Sequence, residues 1–231
     1  MIILVHFFNS AEFAVLITLM LYWASLHIHE RYPWANPLVC ASITLVMLLY
    51  VLHVPYAHYR TGGDLFAYLL GPATVALGVP MFKQAQKLKG SLRPLFLVVL
   101  AGSIVGMATA GFVAWICGAP REVIMSAIPK SVTTPIAVEV SKQLHGDPRI
   151  TAALVLISGL LGSIVGPEVL RMASIIHEHA VGSAIGTSSH ALGTATLIRR
   201  SEVQGSVSSL AMAMAGVTTA VLASLLTWWM H

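Results

Sequence analysis

The chain has 231 residues, 57% of them hydrophobic and 10% charged, with a mean hydropathy of +0.82. A soluble domain carries about a quarter charged residues, so a soluble fold is excluded and an all-α polytopic membrane protein is expected. The net charge of +4 does not signal a nucleic-acid partner, because the basic residues are scattered over short loops and form no stripe.

Apolar blocks of a length that crosses a bilayer fall near residues 10–26, 37–54, 65–82, 93–117, 123–141, 150–169, 183–198 and 206–230. The first is not expected to be a cleavable leader: no basic region precedes it, Glu12 lies within it, and Tyr22 and Trp23 stand near its end where small residues would mark a cleavage site. Cys40 and Cys117 both sit in apolar stretches, which excludes a disulfide framework and any CxxC centre. If all eight blocks cross, nine Lys and Arg fall on one side and three on the other. The positive-inside rule then puts the KQAQKLKGSLR loop (83–93) in the cytoplasm and both termini outside it.

Displaced by half its length, the chain matches itself. Residues 71–91 fall on 186–206, with Gly71/Gly186, Leu77/Leu192, Gly78/Gly193 and Gly90/Gly205 coinciding. The expectation is two membrane repeats, 1–115 and 116–231, as in many transporters. Parallel or inverted topology is left open.

Helix breakers inside a membrane segment are tolerated only where protein or a water-filled cavity satisfies the freed backbone. They gather in three places. At 69–80, Gly71 and Pro72 precede Thr74, and Gly78 and Pro80 close the run; a half-helix could begin at Pro72. At 128–135, Pro129, Lys130, Ser131, Thr133, Thr134 and Pro135 follow one another. Pro135 breaks the ladder and suits the first turn of a new helix with Thr134 as its cap. The positive end of that half-helix would lie inside the membrane and attract a carboxylate. Lys130 beside it costs about 2.5–3.5 kcal/mol near a helix centre, which a partner would offset. Glu139, nine residues on, falls on the opposite face of an unbroken helix. At 186–196, Thr187, Ser188 and Ser189 surround His190, with Thr194 and Thr196 beyond.

Each feature also has a plain reading. Pro and Gly can merely kink a membrane helix, Lys130 can snorkel to the interface, His190 can bond a neighbouring helix, and hydroxyls can back-bond one turn earlier. His27, His29 and Glu30, like His177, Glu178 and His179, lack the spacing of a metal site. Gly102–Gly106 and Gly162–Gly166 are GxxxG motifs that read as close helix packing. Trp228 and Trp229 suit an interfacial belt. No nucleophile, acid and base come together and no phosphate loop is present, so neither an enzyme nor a resident cofactor or metal is expected.

PKSVTTPIA at 129–137, GTSSHALGTA at 186–195 and LLGPATVALGVP at 69–80 together resemble the LrgB/CidB family, over essentially the whole chain. The resemblance implies a bacterial inner-membrane protein working in a homo- or hetero-oligomer with a small membrane partner of the LrgA/CidA type. It implies one of two functions: a holin/antiholin-like modulator of murein hydrolase export and autolysis, or a translocator similar to the plastidic glycolate/glycerate carrier. The broken segments favour transport of a small monocarboxylate such as glycolate, glycerate, lactate or pyruvate. Lys130 and the helix starting at Pro135 would hold the carboxylate, with Ser131, Thr133, Thr134 and residues 187–190 on its other oxygens. His190, or failing it Glu139, would couple a proton.

Overall fold

In the computed structural model the described residues are 10–32, 35–76, 82, 83, 86 and 92–230, and every regular element among them is helical. The helices are α1 (Ala11–Arg31), α2 (Pro37–Val51), α3 (Tyr56–Ala76), α4 (Leu92–Ile116), α5 (Arg121–Ala127), α6 (Thr134–Gln143), α7 (Pro148–Met172), α8 (Glu178–Ile198) and α9 (Glu202–Met230). Four of them, α1, α4, α7 and α9, are long and apolar enough to cross a membrane. The chain divides into two compact units, Met1–Val75 and Ala76–His231.

In the first unit Ser10 caps α1 by accepting from the Phe13 amide, and Asn36 caps α2 ahead of Pro37. Gly62 lets α3 approach α1 closely: a Cβ there would stand 2.5 Å from the Ala11 carbonyl oxygen and 2.6 Å from the Ala14 Cβ. A hydrogen bond of 3.0 Å joins the hydroxyls of Thr18 and Tyr59. The break expected at Gly71–Pro72 does not occur, since α3 runs through Pro72 to Ala76. Proline removes one ladder bond, and a helix with neighbours can absorb that loss. Gly78, Pro80 and most of the basic loop that follows lie outside the described residues.

The second unit is built on α4, α7 and α9. The block at 123–141, expected to cross, does not. Ser126 near the end of α5 and Ser141 in α6 meet again at α7, because Thr151 Oγ1 is 3.0 Å from the Ser126 carbonyl and 2.7 Å from Ser141 Oγ. The segment 121–147 is therefore a hairpin that enters and returns on one side. Pro129 follows the end of α5 and Pro135 stands in the first turn of α6, so the two prolines bracket the reversal and permit it.

The block at 183–198 also folds back. Ser201 donates to the Glu178 carboxylate at 2.6 Å, although a straight helix from Glu178 would carry Ile198 about 30 Å away. A Cβ on Gly193 would lie 3.5 Å from the carbonyl oxygen of Ile185, eight residues earlier. The reversal is made at His190, with φ 39° and ψ −134° inside α8. A non-glycine residue held there stores about 1–3 kcal/mol.

The two hairpins enter from opposite sides. The first opens where α7 begins, with the Asp147 amide donating to Ser126 Oγ at 2.7 Å. The second opens where α9 begins, with Gly182 packed on the Gln204 carbonyl. The GxxxG motifs do serve packing. Gly159, Gly162 and Gly166 of α7 face His190, Ser189 and Ile185, and Gly102 and Gly106 of α4 face Thr187 and Ser131. Lipid is as apolar as a core side chain, so close backbone approach and dispersion hold such helices together. A buried cluster of Val99, Val132, Val155, Val207 and Leu210 seals the middle of the unit.

Candidate functional site

The two hairpin tips meet on α7. Ser158 Oγ donates to the Lys130 carbonyl oxygen at 2.7 Å, and one turn earlier the Val155 carbonyl receives His190 Nε2 at 3.0 Å. A carbonyl can only accept, so Nε2 carries the proton and Nδ1 is left as the ring's second nitrogen. Ser158 lies about 15 Å along α7 from Pro148, close to the centre of a bilayer core about 30 Å thick. The tips therefore sit at mid-depth.

Lys130 is half-buried there, its ammonium 3.2 Å from Ser131 Oγ. Among the described residues no carboxylate lies within ion-pair distance of it. Glu139 is exposed and pairs instead with Lys142 at 2.6 Å, on the returning arm of the hairpin. A mid-depth cation with a hydroxyl partner and no counter-charge is suited to a small anion.

The cap of α6 is one residue earlier than expected: Thr133, not Thr134, is the N-cap, and its side chain makes no capping bond. Thr133 Oγ1 is buried and has no hydrogen-bond partner, and the same holds for Ser103 Oγ on α4. Leaving such a group unpaired costs about 1–3 kcal/mol. Both returning arms, α6 and the part of α8 after His190, begin at the tips. Their positive ends thus converge on the same region from opposite sides.

The hydroxyls of the second hairpin divide. Thr187 and Ser188 donate to the carbonyls of Ser183 and Ala184 one turn earlier, and Ser188 is exposed. Ser189 is fully buried against Gly162 and shares a 3.0 Å hydrogen bond with Ser188. Thr194 bonds Ser208 of α9 at 2.8 Å and so fastens the returning arm. Pro72 stands in the first unit, on an exposed face of α3.

A cavity of about 450 Å³ opens at the base of the second hairpin, lined by Pro94, Leu95, His177, His179, Ser183 and Val207. Leu95 and Val207 also belong to the buried cluster that holds Val132 and Val155 at the tips.

The roles of Ser103, Ser158 and Gly159 were not read from the sequence. A signal was present. Gly-Ser-Ile-Val-Gly occurs at 102–106 and again at 162–166, and the same spacing carries Lys130 onto His190. The half-chain register instead pairs 186–206 with 71–91, most of which lies outside the described residues.

These features define a helical multi-pass membrane protein with two opposed broken-helix hairpins. The chain belongs to the LrgB-like family, whose model matches residues 18–229. It is 36% identical to the uncharacterized protein YwbG of Bacillus subtilis over 208 residues, 89% of this chain and 92% of that one. It is 33% identical to the holin-like protein CidB of Staphylococcus epidermidis over 92% of this chain and 94% of that one. The holin-like protein CidB of Staphylococcus aureus is 29% identical over the same shares. No solved structure matches the chain.

Proposed function

We propose that this protein is a secondary carrier of small monocarboxylates of the glycolate, glycerate, lactate or pyruvate type. The observation that carries the reading is Lys130 at the meeting point of two opposed hairpin tips, with no carboxylate partner among the described residues. Two converging helix N-termini add positive potential, and the cavity beside His177 and His179 supplies an approach from one side. In this reading Lys130 and the start of α6 hold the carboxylate. Ser131, Thr133 and the hydroxyls near His190 take the remaining oxygens, and no bond of the solute is made or broken.

The names of the staphylococcal relatives support a second reading, and support it more directly than they support transport: a holin-like modulator of murein hydrolase export and autolysis. A pore that works by oligomerising needs no half-buried cation between broken helices, which is why the geometry favours the carrier. The protein is proposed to act with a small LrgA/CidA-like membrane partner in a bacterial inner membrane. Taking α1–α3 as crossings and the two hairpins as folded back, Lys and Arg divide eight to four. That split supports the 83–93 loop inside and both termini outside. The half-chain repeat, 1–115 and 116–231, is retained as part of the proposal.

Reconstituted in liposomes, with the small partner added if needed, the protein should give saturable uptake of labelled glycerate or pyruvate and exclude unrelated dyes. Dye leakage that persists in Lys130→Ala would establish the holin-like reading instead.

A further inference from the structure

Buried hydroxyls in folded proteins are almost always hydrogen-bonded, so each exception asks for a reason. Among the described residues two buried side-chain polar atoms lack a partner, Ser103 Oγ and Thr133 Oγ1. Both lie on elements that meet at the hairpin tips. On α4, Val99, Gly102, Ser103 and Gly106 share a single face within about 100°. Val99 packs in the cluster that contains Val132, Gly102 meets Thr187, and Gly106 approaches Ser131. Ser103 thus stands on the strip of α4 that touches both tips, while Thr133 caps the returning arm of the first. Ser103 is 6% exposed, so bulk water does not satisfy it.

We propose that Ser103, paired with Thr133, binds the oxygen on the carbon next to the carried carboxylate and sets the preference for hydroxy- and keto-acids over plain acids. The inference rests on the carrier reading above and assigns a binding role to a residue of α4. Lys130 is a point charge that any small carboxylate satisfies. It cannot by itself tell glycerate from propionate. A hydroxyl offers one donor and two acceptor sites, so two of them serve a hydroxyl or a carbonyl oxygen alike. A site built to hydrogen-bond a substrate oxygen rejects the analogue that lacks it, because its own polar groups are then left unpaired.

The structure also predicts an effect of opposite sign on the empty protein. Replacing an unpaired buried hydroxyl with hydrogen, as Ser→Ala does, removes an unsatisfied group and leaves no partner stranded. Ser103→Ala should therefore melt in detergent at the same temperature as the parent or higher.

The test measures uptake of labelled glycerate and of labelled propionate by liposomes carrying the parent, Ser103→Ala, Ser103→Cys and Thr133→Val. The expected result is an unimpaired melting temperature for Ser103→Ala together with a fall of about tenfold in the glycerate-to-propionate ratio of Vmax/KM. Thr133→Val should lower the same ratio, and Ser103→Cys should fall between parent and alanine. A ratio that stays constant, or a Ser103→Ala protein that melts well below the parent, overturns the inference and leaves the carrier reading standing. A parent that is correctly inserted and takes up neither acid overturns the carrier reading, and this inference with it.

Discussion

Ser158 donates its hydroxyl to the carbonyl oxygen of Lys130 across 2.7 Å. The bond pins the tip of the first hairpin about halfway down α7, and it occupies a carbonyl that the break before Pro135 leaves without an intrahelical donor. Ser158→Ala should strand that carbonyl and lower stability by about 1–3 kcal/mol. Thermal unfolding in detergent measures the loss. An unchanged melting temperature would mean that the bond is not made.

The reversal of both hairpins predicts sidedness. In a chain freed of Cys40 and Cys117, single cysteines at Arg121 and His145, both exposed, should react with a membrane-impermeant thiol reagent from the same side. Cysteines at Glu178 and Arg199 should both react from the other. A continuous crossing at 123–141 would place the first pair on opposite sides.

The glycine strip of α7 should tolerate no side chain. A Cβ on Gly162 would collide with Ser189, and one on Gly159 with the His190 ring. Overpacking of this kind costs about 1–3 kcal/mol, so Gly162→Val should melt lower and lose uptake. Gly63→Ala is the control, since its Cβ meets only the Tyr59 ring at 3.6 Å and should leave both unchanged.

His190 combines a strained backbone with a bond to Val155. The ring packs on Gly159 of α7, with Lys130 at the tip of the facing hairpin, and imidazole is the side chain whose ordinary titration range lies nearest neutral pH. If it couples protons to the solute, His190→Gln should flatten the pH profile of uptake while membrane insertion is retained. A profile identical to the parent's would make the residue a structural tip. Glu139, exposed and paired with Lys142, would then be tested in the same way.

At the end of the first hairpin, Asp147 caps α7 by accepting from the Arg149 amide at 2.7 Å. The hydrogen bonds from the Arg149 side chain, and then from that amide, hold its carboxyl down to about 2 from an ordinary 3.8. The folded state therefore binds fewer protons than the unfolded one, and the stabilisation is complete above pH 3.8 and fades as pH falls toward 2. Asp147→Asn should remove that acid dependence while keeping the cap. A parent and variant with equal acid slopes would contradict it.

Much of this molecule was legible in one dimension. Hydropathy located the four helices long and apolar enough to cross, α1, α4, α7 and α9, because twenty-odd residues of low polarity have few alternatives to spanning or entering a bilayer. Pro129, Pro135 and the hydroxyl cluster around His190 marked the two places where helices are interrupted, since a proline removes a donor wherever the chain folds. Lys130 was conspicuous for the same local reason: an ammonium in an apolar block is costly in any fold. Whether an interrupted block crosses or turns back was a different matter, because Pro72 breaks nothing while Pro135 and His190 reverse the chain. A proline permits a reversal, and only the contacts available to the returning arm decide it. Here those contacts are Thr151 with Ser126 and Ser141, and Glu178 with Ser201, pairs separated by many residues. The meeting of the two hairpin tips on α7, and the isolation of Ser103 Oγ and Thr133 Oγ1 from any partner among the described residues, likewise arise from packing between elements distant in sequence.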